Sequence, residues 1–132
     1  MMRTSPEGRH TLKLHGIAVG YSDLEDADPA LGRARGVFRP GVGYDLVQPV
    51  FRLYSEAVPN PGGDVADQEK LDRYYKSRDA LALSLEDDSG RVVRTSAIHV
   101  SDYTSQRGGG GALELDVLIT DRGYWKARSR RP

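Results

Sequence analysis

The sequence predicts a mainly β domain with one α-helix: an antiparallel β-sandwich or open barrel with a helix over 64–78 packed on the sheet. Three observations carry this expectation. Apolar and polar residues alternate with period two in several short stretches, Gly- and Asp-rich clusters separate those stretches, and a single segment carries the end signals of a helix.

Taken in chain order, Thr11 to Tyr21 alternates, but Leu12 and Leu14 share one parity while Ile17, Val19 and Tyr21 share the other. The switch at His15-Gly16 predicts a β-bulge. Ser22 to Gly32 is acidic and ends near Pro29, so it reads as a loop with at most one helical turn. Arg33 to Arg39 is a short strand, and Pro40-Gly41 fits the central positions of a type II turn. Tyr44 to Val58 matches both periods. Leu46, Val50, Leu53 and Ala57 form a helical stripe, Phe51 and Leu53 alternate, and Pro49 weakens either version, so a strand is the expectation.

The run Pro59 to Gly63 is the strongest break, and Asp64 behind it is the expected N-cap of the helix. Asp67 and Glu69 near its start and Lys76 and Arg78 near its end complement the helix dipole. Its narrow apolar face, Leu71, Tyr74 and Tyr75, suits a helix lying on a sheet. Leu81, Leu83 and Leu85 then alternate, and Asp87 to Gly90 turns the chain into a hairpin. Val92 to Tyr103 places Ser96, Ile98 and Val100 on one face and Ala97, His99 and Ser101 on the other. The four glycines Gly108 to Gly111 mark a loop, and Leu113, Leu115, Val117 and Ile119 form a half-buried strand.

At 132 residues the chain has material for one hydrophobic core and not two. Residues 1–125 are expected to form the domain and 126–132 a basic disordered tail. Nineteen Lys and Arg balance nineteen Asp and Glu, so no overall field draws the protein to nucleic acid or to an anionic membrane. The absence of cysteine excludes disulfides, thiolate zinc sites and thiol nucleophiles. Met1 to Thr11 lacks the apolar run of a secretion signal, and no stretch has the length of a membrane span, so a cytoplasmic location is expected.

Few residues suggest chemistry. His99, Asp102 and Tyr103 lie close in sequence at a strand end, where a histidine can serve as general base. Strand geometry points Ser96 and His99 opposite ways, so a local Ser/His/Asp triad does not form, and a sheet histidine held by hydrogen bonds is the ordinary reading. A three-histidine metal site from His10, His15 and His99 has no spacing to support it. Asp23, Asp26 and Asp28 are the metal-ligand candidates, although turn carboxylates are the commoner role. With Asp87, Asp88, Asp102 and Asp121 they give a distribution of loop carboxylates similar to that of sandwich domains of the C2 type, and that resemblance implies Ca²⁺ held at one end of the fold. Tyr124 and Trp125 before a basic stretch combine stacking groups with cations.

The leading expectation is a non-catalytic binding or assembly module without cofactor, self-associating or bound to a protein partner. Its motive is the apolar residues on both faces of strands, with Leu118 the clearest and Val93 and Ala97 alike. Leu118, by this argument, and Tyr124 and Trp125, by their rings beside the basic stretch, are the partner-binding candidates. A small enzyme or ligand-binding barrel with a pocket at His99 and Tyr103 is the alternative, and a Ca²⁺-dependent sandwich the third.

Overall fold

The computed structural model describes residues 8–58, 67–102 and 113–129. The alternating segments form β1 (His10–Leu14), β2 (Ile17–Ser22), β3 (Asp26–Asp28), β4 (Arg33–Pro40), β5 (Leu83–Glu86), β6 (Val92–Val93), β7 (Thr95–Ser101) and β8 (Leu113–Ile119). They join one sheet in the order β6-β5-β1-β2-β4-β8-β7, with β3 also on β4, and the pairings are antiparallel. β6 and β7 stand at opposite ends of that order, yet only Arg94 separates them in the chain. The sheet therefore curls back on itself as a nearly closed barrel, the open-barrel form of the expected fold. Its seam stays open above Leu85↔Val93, where β5 and β7 part around a cavity of about 180 Å³ between Leu83 and Thr95.

Inward-facing residues fill the barrel. Leu113, Leu115, Val117 and Ile119 of β8 are buried, and so are Leu12, Val19, Phe38, Leu85, Ile98 and Val100 from the strands around it. Two local expectations change here. The parity switch at His15-Gly16 is a two-residue hairpin turn, with Leu14 paired to Ile17 and φ of 50° and 83°, the doubly positive pattern of a type I′ turn. A left-handed histidine is uncommon, which hid the turn. The irregular register comes later: Leu12 faces Gly20 and Lys13 faces Ala18, so Val19 is the extra residue.

The acidic loop also contains a strand, β3, which continues β2 after a break at Asp23–Glu25. Leu24 takes φ 45° there and is fully buried, and its N–H donates to Ser22 Oγ at 3.1 Å. Glu25 accepts from the Val37 N–H at 3.3 Å, replacing a missing ladder bond. Gly36 is needed opposite this break, because a Cβ would lie 2.6 Å from Ser22 Oγ and 2.9 Å from Leu24 Cα. At the far end of β4 the chain turns over Gly41 to Tyr44, with the Tyr44 N–H on the Gly41 carbonyl, and Gly41 is not among the positive-φ glycines. The expected type II turn at Pro40-Gly41 is thus replaced by a turn two residues later.

Tyr44 to Val58 is helical, against the expected strand. A 3-10 turn, Tyr44–Leu46, leads into α1 (Gln48–Ala57). Pro49 falls in the first helical turn, where no N–H is needed, and Phe51, Ser55 and Ala57 are buried. Among the described residues there are two long helices where one was expected. The second, α2 (Gln68–Ala80), starts later than residue 64 and is capped by Asp67, whose carboxylate accepts from the Lys70 N–H at 3.2 Å. It packs on α1, and its buried Tyr74 reaches the sheet.

A short α3 (Arg122–Ser129) takes the place of the first residues of the expected tail. Asp121 caps it, accepting from the Tyr124 N–H at 3.1 Å and from the Arg94 N–H at 3.3 Å. Tyr44 packs on Phe38 and closes the barrel end where β4 and β7 finish, and α3 closes the opposite end. Asp64, Tyr103 and the glycine run lie outside the described residues.

Candidate functional site

Strand pleating sends Ile98 and Val100 of β7 into the barrel and Ala97, His99 and Ser101 outward, under α1 and α2. Aromatic rings surround the His99 imidazole. Tyr54 of α1 stands 4.5 Å away between centroids, Tyr74 of α2 5.5 Å and Phe51 of α1 6.3 Å, each roughly edge-on. The Tyr74 hydroxyl hydrogen-bonds Nδ1 of His99, and Ser101 Oγ lies 3.1 Å from Nε2. Both ring nitrogens are thus engaged.

Burial pushes His99 down to about 4, with Arg78 adding to the effect and Asp116 opposing it. The ring is neutral at pH 7. Burial also pushes the Tyr74 phenol far above its usual range, so it keeps its proton and is a donor. We assign the phenol as donor to Nδ1, which puts the imidazole proton on Nε2, toward Ser101. In that tautomer Ser101 faces an N–H and not a base.

Across the ladder, Asp116 of β8 sits opposite His99. Arg33 of β4 holds it in a bidentate pair, Nε to Oδ1 at 3.0 Å and Nη2 to Oδ2 at 2.6 Å. That bond, followed by the Coulomb attraction, raises the Arg33 guanidinium above its ordinary value. Arg78 of α2 lies over the rings of Tyr74 and Tyr75, 5.6 Å and 5.1 Å from their centroids, and pairs with exposed Asp79 at 3.2 Å.

Between α2 and the outer faces of β7 and β8 these residues enclose an open groove of about 490 Å³. Tyr54, Tyr74, Tyr75 and Arg78 form its helix side. Ala97, His99, Asp116 and Leu118 form its floor, and Leu31 of the β3–β4 turn and Arg33 at the start of β4 its far rim. The small Ala97 side chain leaves room beside His99.

Of the residues singled out from the sequence, His99 and Leu118 come together in this groove. Asp102 does not join them. It is buried with inward parity and accepts from the Tyr44 hydroxyl at 2.6 Å and Gln48 Nε2 at 3.1 Å. Tyr103 lies outside the described residues. Tyr124 is buried, its hydroxyl 3.1 Å from His10 Nε2, and the Trp125 indole N–H donates to the Ile119 carbonyl at 2.9 Å. These two rings close the core. Asp23 and Asp26 form ion pairs with Arg39 and Arg35, and Asp28 accepts from the Leu31 N–H. Among the described residues no group of three His, Cys, Asp or Glu side chains converges as a metal requires. His10 bonds Tyr124 of α3, His15 lies in the first hairpin turn, and neither lines the groove at His99.

Sequence reasoning missed Tyr54, Arg78, Arg33 and Asp116 as groove residues. Tyr54 was hidden by the strand assignment of its segment, and Tyr74 and Tyr75 counted only as a packing face. The chain matches no family model, no curated protein and no solved structure.

Proposed function

We propose that the protein is a non-catalytic binding module whose recognition site is the groove between α2 and the outer face of β7 and β8. One observation carries the reading: a groove of about 490 Å³, in the size range of small-ligand pockets, lies beside a histidine that is tied at both nitrogens. A general base needs a lone pair facing the substrate proton. His99 offers none in the assigned tautomer, and its lowered titration makes it a poor proton acceptor at neutral pH.

Two measurements test this. Nitrogen chemical shifts of the His99 ring should report the Nε2–H tautomer, and a fragment library titrated into the labelled protein should shift amides at Ala97, His99 and Leu118. An Nδ1–H tautomer together with covalent capture of Ser101 by a fluorophosphonate would turn the reading toward the enzyme.

Self-association is the second reading, favoured by the exposure of Leu31 (67%), Val37 (46%) and Leu118 (41%) at the β3–β4 turn and on β4 and β8. Light scattering across a dilution series should then show more than a monomer. A monomeric mass at the highest concentration would remove it.

A further inference from the structure

We infer that the groove takes a flat aromatic monoanion, with an aryl carboxylate as the simplest member of the class. The inference rests on the groove being the binding site and goes on to name the occupant.

Charge decides the sign. Two guanidiniums, Arg33 and Arg78, line the groove against the single carboxylate of Asp116, which leaves one positive charge in excess. Asp79 pairs with Arg78 but is 69% exposed, so water screens it. In both arginine–aspartate pairs the carboxylate takes Nε and Nη2, and Nη1 takes part in neither. A guanidinium carries five N–H donors in a fixed fork, which suits an added planar carboxylate.

A tyrosine-rich wall can instead attract a cation through its ring faces. Here that position is filled from within the chain: Arg78 already lies over Tyr74 and Tyr75. Among the residues that line the groove, a cationic ligand would meet two guanidiniums, Arg78 and Arg33, and one carboxylate, Asp116.

Shape decides the body of the ligand. Leu118 and Leu31 present exposed apolar surface facing the tyrosine side, and Ala97 leaves space on the floor. A flat ring between these walls covers that surface while its carboxylate reaches the arginines.

The test uses three probes with one ring system: 2-naphthoate, 2-naphthalenemethanol and a naphthylmethyl trimethylammonium ion, each titrated into the full chain by amide NMR. The expected result is saturable binding of 2-naphthoate, about tenfold tighter than the alcohol, with Ala97 and Leu118 amides shifting and the preference falling as salt rises. Arg78→Gln should bring the naphthoate affinity down to that of the alcohol. Should Arg78→Gln fail to fold, Leu118→Glu, at an exposed position, should abolish naphthoate binding with the circular dichroism unchanged. Naphthoate binding no tighter than the alcohol, or tightest binding of the ammonium ion, overturns the inference and leaves the groove as a binding site. Failure of all three probes at millimolar concentration overturns the groove reading as well.

Discussion

Replacing His99 by Gln should flatten the pH dependence of stability between neutral and mildly acidic conditions. The folded protein holds His99 down to about 4, through burial first and Arg78 second, while an unfolded histidine titrates near 6.5. Between those values the unfolded chain binds a proton that the folded chain refuses. Stability contributed by neutral His99 is therefore complete above the unfolded value and is lost as the pH falls toward the folded one. At about 1.4 kcal/mol per pH unit the whole gap corresponds to roughly 3 kcal/mol, of which about 2 kcal/mol is lost between about pH 7.5 and about pH 5. That is a large part of a typical margin of about 5–15 kcal/mol. His99→Gln should start about 1–2 kcal/mol less stable at neutral pH, because one hydrogen bond changes, and should then lose much less on acidification. His10, His15 and the carboxylates are common to both proteins, so the difference between the two curves isolates residue 99. Urea unfolding at closely spaced pH values measures it. Parallel curves for the two proteins would refute the reasoning, since they would mean that His99 titrates normally in the folded state.

Three further substitutions probe the frame around the site. Leu115→Asp places a carboxylate without a partner at a fully buried position of β8, at a cost of several kcal/mol, and should abolish cooperative unfolding in calorimetry; a soluble, cooperatively melting variant would contradict the core assignment. Gly36→Ala pushes a methyl group against the Leu24 backbone and should cost about 1–3 kcal/mol in denaturant titrations, whereas an unchanged midpoint would mean that the break in β2–β3 is more open than described. Tyr44→Phe removes the 2.6 Å donor of the buried Asp102 carboxylate and should cost about 1–3 kcal/mol, more than a surface Tyr→Phe control such as Tyr75→Phe in the same assay.

The parts of the fold legible in the sequence were those where one local signal had no rival. Period-two alternation with a single polar face marked β8, and Asp87 to Gly90 marked the β5–β6 turn, where Asp87 accepts from the Ser89 and Arg91 N–H groups and Gly90 takes φ 85°. Tyr44 to Val58 failed because Pro49 is compatible with a helix start and with a strand edge, and only packing against β7 and α2 decides between them. His15-Gly16 failed because the usual residue for the first left-handed position is absent. Leu118 stood out as an apolar residue on a polar face, which is a local anomaly. Arg78 beside Leu118, or Arg33 across from Asp116, could not stand out, since tertiary contacts between distant segments alone bring them together.

The pairing of β4 with β8 has a consequence for how the chain acquires its groove. Arg33 and Asp116 are 83 positions apart, and closing so long a stretch of chain carries an entropy cost that only the completed ladder offsets. The β1–β2 and β5–β6 hairpins and the α1–α2 pair are local and can form early, but β8 supplies Asp116 and Leu118 and is the last of the described strands to emerge during synthesis. A nascent chain that ends before Leu113 has the tyrosines of the helix side and no β8 to complete the floor. Under the proposed binding role, a ligand in the groove therefore depends on β8 being paired with β4 and β7, and its binding reports that these ladders are in place.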